Sequence, residues 1–272
     1  MFRPVLPMTG YVGWTFLQRT LDAQQEQFVK APRIERLTDH FRTTIGRVTS
    51  VEDFVGDRSL MQVALGAFGL DEDLDNRFFI QKILSEGTAS SDSLARRLSD
   101  ERYRRLSDAF GFGAPDGPKI GEPDFAERIV ALYQQKQFER AVGEQDGDLR
   151  SALNIGTGLD QIITDNRTNK ARWFAIMGDP PVRAVLEKAL NLPSSLGRID
   201  IDLQLEAFKA GARKTFGTDQ VADLQDEDRK EDLVRLFLIR SEAARSAGPS
   251  GSSVALALMQ AIPRRPPISS GF

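Results

Sequence analysis

Gly56-Asp-Arg-Ser-Leu-Met-Gln-Val-Ala-Leu-Gly-Ala-Phe-Gly-Leu70 reads as one helix with both ends marked. Asp57 is of the N-cap type, because a carboxylate accepts hydrogen bonds from first-turn N–H groups that lack a partner inside the helix. From Leu60, the residues Val63, Ala64, Ala67 and Phe68 recur at intervals that put them on one face. Gly69 tolerates the left-handed conformation that stops a helix. The phrase then returns. Gly178-Asp179 opens a second run that closes at Asn191-Leu192, 122 residues further on. Leu60, Val63, Ala64, Ala67, Phe68 and Leu70 fall opposite Val182, Val185, Leu186, Ala189, Leu190 and Leu192. Pro180 suits the first helical position.

Any two amphipathic helices can be slid into register, so the weight lies in the elements downstream of them. Ile129-Val-Ala-Leu-Tyr133 resembles Leu233-Val-Arg-Leu-Phe237. Breaks come at Gly143 and Gly248, and six residues later helical runs begin at Leu149 and Val254. Ala152-Leu153 then matches Ala257-Leu258. Asp57 to Ile129 covers 72 residues against 54 from Asp179 to Leu233, so the first copy carries about 18 extra, placed between 87 and 123. The pattern implies two similar helical units stacked through their apolar faces. The units are 51–165 and 166–262. Segment 1–50 belongs to neither, and 263–272, with three prolines, is expected to be a loose tail.

Helical periodicity holds elsewhere. Tyr11, Trp14, Leu17, Leu21 and Phe28 share one face of an N-terminal helix, and Ile34, Leu37, Phe41 and Ile45 repeat the pattern after Pro32. Ser50-Val-Glu-Asp53 is a capping box with Asp in its last position. Further helices are predicted over 73–86, 92–110, 124–142, 148–163, 168–176, 180–191, 200–216, 227–246 and 253–262. Stretch 111–123, with four Gly and three Pro, is a loop. No turn joins two alternating β-branched runs, so the predicted fold is all-α.

The composition is that of an ordinary globular chain: 272 residues, 40% hydrophobic and 28% charged. Lys and Arg number 36 against 39 Asp and Glu, and a net charge of -3 gives no reason to expect nucleic acid as a partner. With no Cys, disulfides and thiolate chemistry are excluded. No run approaches the roughly 20 apolar residues that span a bilayer. Met1 to Met8 lacks the pattern of a secretory signal, so the cytoplasm is the default expectation. A surface machine with its own export route would leave the same record.

Each candidate for chemistry has a plainer reading. His40 is the only histidine, and it sits in a helix beside Phe41, where a surface position is expected. Asp71, Asp73 and Asp75 occupy the first, third and fifth places of a calcium loop, but Asn76 stands where Gly is needed and Lys82 where Glu is needed. Gly111-Phe-Gly113 and Gly156-Thr-Gly158 lack the strand before and the Gly-Lys-Ser after that a phosphate loop requires, and read as turns. Arg96, Arg97, Arg102, Arg104 and Arg105 are interrupted by Asp100, Glu101 and Asp108, which predicts ion pairs on a solvated helix. No Gly-x-Ser-x-Gly elbow occurs. No catalytic, metal or cofactor-binding residue is therefore assigned. The N-terminal face of Tyr11, Trp14, Leu17, Leu21 and Phe28 either packs on its own core or docks on a protein partner or second copy.

Several longer phrases belong together: Gly13-Trp-Thr-Phe-Leu-Gln-Arg-Thr-Leu-Asp22, the opening phrase with Asn76-Arg-Phe-Phe-Ile80, Leu98-Ser-Asp-Glu-Arg-Tyr103 with Ala109-Phe-Gly-Phe112, and Phe138-Glu-Arg-Ala-Val-Gly143 with Leu149-Arg-Ser-Ala-Leu153. Over nearly the whole chain they resemble an alphaproteobacterial family of unknown function. Its members are often encoded among flagellar genes and are sometimes labelled flagellar proteins. The resemblance implies a helical fold and, by association, flagellar components as partners; it brings no activity, cofactor or catalytic residue. The expectation is a non-enzymatic interaction or structural protein. The alternative is a carboxylate-based enzyme with a cleft between the two units.

Overall fold

Both marked runs are helices with the ends their sequence assigns. In the computed structural model, which describes residues 2–246 apart from Ser99, α4 (Arg58–Ala67) is capped by Asp57. Its Oδ1 accepts from the N–H groups of Ser59 and Leu60 at 2.8 and 3.1 Å. α11 (Pro180–Ala189) is capped by Asp179, which accepts from the Val182 N–H at 3.1 Å. Both helices finish in the same reversal. Leu70 N–H donates to the Leu65 carbonyl and Leu192 N–H to the Glu187 carbonyl, each at 2.8 Å. The residue before the closing leucine is left-handed in both, Gly69 at φ +71° and Asn191 at φ +54°.

Each short helix lies on a long one. α4 packs on α8 (Phe125–Gly143), and α11 on α13 (Glu227–Ser246). Between the pairs stands α9 (Gly147–Asp165), which touches α8 on one side and α11 and α13 on the other. Charges reinforce the apolar contact: Asp148 of α9 pairs with Lys188 and Arg245, and Asp160 with Lys230. Gly156-Thr-Gly158 lies inside α9, so these glycines are not a turn. The physical reason is a close helix approach. A Cβ on Gly158 would stand 2.7 Å from Val182 Cγ2 of α11.

The N-terminal helices cover both pairs. α1 (Gly10–Val29) meets α13 at its start, where the Tyr11 hydroxyl donates to Glu231 at 3.1 Å. At its end Phe28 meets Phe138 of α8 edge-on, with centroids 5.6 Å apart. α2 (Pro32–Thr44) lies across α4 and α8. α3 (Val51–Gly56) starts at Ser50, whose hydroxyl accepts from the Asp53 N–H at 3.1 Å. The Asp53 carboxylate in turn accepts from Thr49 Oγ1 at 2.9 Å.

Between α4 and α8 come α5 (Arg77–Glu86), α6 (Leu94–Arg97) and α7 (Glu101–Phe110). The predicted helix over 73–86 therefore starts late, because Asp71–Asp73 form a 3₁₀ turn first. The single helix predicted over 92–110 is two. Leu98 is extended, and Asp100 opens a new helix by accepting the Arg102 N–H at 3.0 Å. A capping side chain in mid-run outweighs continuous periodicity. In the second half, α10 (Asn169–Gly178) precedes α11, and α12 (Ile201–Phe216) lies between α11 and α13. The helix expected over 253–262 and the loose tail expected over 263–272 lie outside the described residues.

No strand occurs among the described residues, and the fold is all-α. One continuous apolar core runs from Leu17 of α1 to Leu238 of α13. Phe54, Phe110 and Phe125 join α3, α7 and α8 within it, and each such buried side chain contributes about 1.5–3 kcal/mol. Trp173 is fully enclosed, and its indole N–H donates to the Asp219 carbonyl at 2.9 Å, so its one polar atom is satisfied.

Candidate functional site

The N-terminal face singled out by sequence is largely inside the molecule. Leu17 and Phe28 are buried in this chain's own core. Tyr11, Trp14 and Leu21 are half-buried and pack against it. Ahead of the helix, residues 2–8 are strapped along α1. Val5 donates its N–H to Gln24 Oε1 at 2.7 Å, and the Gln24 amide returns a bond to the Val5 carbonyl at 3.2 Å. Gln145 holds the Pro4 carbonyl at 2.8 Å.

The charged candidates are tied to neighbours. His40 Nε2 lies 2.7 Å from Asp57 Oδ2, so the lone histidine braces the cap of α4. Burial works to raise the Asp57 carboxyl, but the bonds from His40, Leu60 and Ser59 outweigh it and hold it below the ordinary carboxylate value. Asp71, Asp73 and Asp75 go three separate ways: Asp71 to Gln137 and Arg140, Asp73 to the Tyr103 hydroxyl, and Asp75 to Arg58. Burial and the bond to Asp73 push the Tyr103 hydroxyl well above its usual value. Among the described residues no three His, Asp or Glu side chains converge closely enough to hold a metal ion. In the arginine cluster, Arg102 pairs with Asp100 and Arg104 with Glu101. One charge pair is sequestered: Glu139 of α8 is buried, accepts from Lys136 Nζ at 2.8 Å, and the same Nζ reaches Asn154 of α9 at 2.6 Å. It fixes α9 against α8.

Two depressions open on the surface. One, about 280 Å³, is lined by Phe2, Phe28, Ala31, Pro32 and Ile34 with Arg33 and Arg36. The other, about 330 Å³, lies between α10 and α12, where Asp202 and Glu206 face Asn169, Lys170 and Lys209. Glu206 is bonded to Lys209 at 3.3 Å.

More distinctive is the apolar surface left uncovered. Ile199, Ile201 and Leu203, at the start of α12, are about half exposed, with Leu203 at 60%. Phe78, near the start of α5, is 88% exposed. Sequence reasoning missed the α12 group because Ile-Asp-Ile-Asp-Leu-Gln-Leu205 was absorbed into a helix beginning near 200. The signal was present for one of them: Ile201, Leu205, Phe208 and Ala212 share the spacing of one helical face, and Leu203 falls opposite it.

A multi-helix, all-α protein is therefore the class that the fold defines. The chain belongs to a family described as protein of unknown function, DUF1217, which matches residues 67–229, more than half of its length. The crystal structure of protein AGR_C_984 from Agrobacterium tumefaciens is similar to it with a TM-score of 0.69 and 24% identity, covering 88% of this chain and 98% of that one. That likeness is one of fold. No curated protein matches the chain. No helix among the described residues is long and apolar enough to cross a membrane.

Proposed function

We propose that this protein is a non-enzymatic helical adaptor that binds another protein, and that its partner is a component of the flagellar machinery. The observation that carries the binding reading is the uncovered apolar start of α12, where Leu203 is 60% exposed and Ile201 and the preceding Ile199 about half, held by the Asp200 cap, whose Oδ1 accepts from the Asp202 N–H at 2.9 Å. Branched apolar side chains on a rigid helix start, rimmed by carboxylates, are the anatomy of a contact surface. The half-buried Tyr11, Trp14 and Leu21 of α1 enter the same reading as a second stretch. The flagellar part rests on the family resemblance carried by the quoted phrases.

The test is a quantitative pull-down from the native bacterium, with the intact chain and with Ile201→Asp/Leu203→Asp. Rod, hook, filament or export components recovered by the first and lost by the second support the reading. Normal swimming after deletion of the gene overturns its flagellar part. Equal recovery by both proteins overturns the assignment to α12.

A further inference from the structure

Residues 2–8 are laid back along α1, and α1 is shaped to receive them. Gly13, Thr20, Gln24 and Phe28 follow one another at seven, four and four residues, which puts them on one face of the helix. A Cβ on Gly13 would stand 2.1 Å from the Met8 carbonyl oxygen, so glycine there leaves room for the strap's backbone. Gln24, itself buried, takes both backbone groups of Val5, the N–H at 2.7 Å and the carbonyl at 3.2 Å. The same amide donates to Thr20 Oγ1 at 2.8 Å, which fixes its orientation. Phe28 meets the Phe2 ring edge-on, with centroids 6.3 Å apart. From outside α1, Gln145, between α8 and α9, donates to the Pro4 carbonyl at 2.8 Å.

This grip holds backbone rather than side chains. Among the described residues no backbone group of 2–8 bonds to another backbone group, and three are taken by the amides of Gln24 and Gln145. The segment includes Pro4-Val-Leu-Pro7, whose two prolines keep the chain extended and its carbonyls open to a partner. Pro4 is buried, while Val5 and Met8 are about half exposed. A bound peptide is held in the same manner, by its backbone and by alternate side chains. The strap differs from one in being joined to α1. The join includes Gly10, left-handed at φ +64°, where the chain turns from strap into helix.

We infer that the groove formed by Gly13, Gln24, Phe28 and Gln145 also takes the strap of a second copy of this chain, and that copies associate by exchanging straps. This segment is the occupant that the structure shows to fit, and every copy carries it. Exchange remakes the same contacts between two molecules, so no bond is lost. The closed and exchanged forms then differ in the conformation of the hinge and in their dependence on concentration. The inference does not depend on the flagellar reading or on the α12 surface.

Two variants of the full chain test it. Phe2→Asp/Pro4→Asp spoils the strap and keeps the groove; Gln24→Ala/Gln145→Ala does the reverse. Neither can exchange with itself, but the strap of the second fits the groove of the first. Native mass spectrometry should show monomers of each alone and a 1:1 heterodimer on mixing. Absence of that heterodimer overturns the proposal. A labelled peptide of residues 2–8 that binds the strap variant, with no heterodimer formed, assigns the groove to another protein's segment and also overturns exchange between copies. Gly10→Ala in the otherwise intact chain decides the matter if a strap variant fails to fold. An L side chain at that φ is strained while the hinge is closed, so dimerisation should strengthen by about tenfold for each hinge relieved. Unchanged dimerisation overturns the proposal, as does a gain that persists when Gln24→Ala and Gln145→Ala are added.

Discussion

Gly66 of α4 faces the ring of Tyr133 on α8, so closely that a Cβ on the glycine would stand 2.7 Å from Tyr133 Cε2. In the second pair, Lys188 of α11, 122 residues on from Gly66, lies over the ring of Phe237 on α13, with Nζ 5.4 Å from the centroid. The two crossings are thus closed in different ways. In the first pair the helix backbone itself is the contact surface, and burial pushes the Tyr133 hydroxyl up to about 12. In the second, a flexible chain fills the gap and ends in a half-exposed ammonium bonded to Ser241 and Asp148. The covering elements differ as well. α2 closes the first pair from outside, and α5, α6 and α7 intervene between its helices; only α12 intervenes in the second. Both short helices thus open on an Asp cap, while the side chains at the two crossings differ.

The sharpest way to break the comparison is to exchange those side chains. Gly66→Lys forces a long chain into the Tyr133 ring and should lower stability by about 3 kcal/mol or prevent folding. Lys188→Gly loses helix propensity and a partly exposed cation–ring contact, together about 1–2 kcal/mol. Urea denaturation at neutral pH ranks the two, and equal losses would mean that the crossings are alike.

The caps come next. Asp57→Ala and Asp179→Ala should each cost about 1 kcal/mol, with Asp57 the larger because it also holds His40. The pH dependence separates them further. The Asp57 carboxyl is held below its ordinary value, so its contribution is complete above the unfolded value of about 4 and is lost as pH falls through the folded one. Denaturation midpoints of the intact protein and Asp57→Ala should converge in acid and separate toward neutrality. The smallest effect concerns the reversals. Gly69→Ala places a Cβ in the left-handed region and should cost about 1 kcal/mol, whereas Asn191→Gly should change stability by only a few tenths. Thermal melts of the two variants suffice to tell.

Much of this fold was legible because its signals are local. Asp57, Asp179, Gly69 and Pro180 act on residues two to five positions away, and the periodicity of α1, α8 and α13 needs no knowledge of neighbours. Features set by distant chain were not legible. Gly156-Thr-Gly158 looks like a turn until α11 comes within van der Waals distance of Gly158. The break at Leu98 depends on a cap competing with a good helical pattern. The candidate site suffered most. A large apolar residue in a helix gives no sign of whether its face will be covered, so Leu17 and Phe28 proved internal while Ile201 and Leu203 stand outside.

The position of α9 also bears on how the chain is made. Synthesis delivers α4 and α8 first and then α9, one side of which is destined for α11 and α13. From Asp165 to Ser246 another 81 residues must emerge, on the order of 4–16 s at about 5–20 residues per second. For that interval the flank of α9 at Gly158 faces water with nothing against it. The newborn first half is a sticky intermediate by construction, and timely arrival of the second half is what protects it.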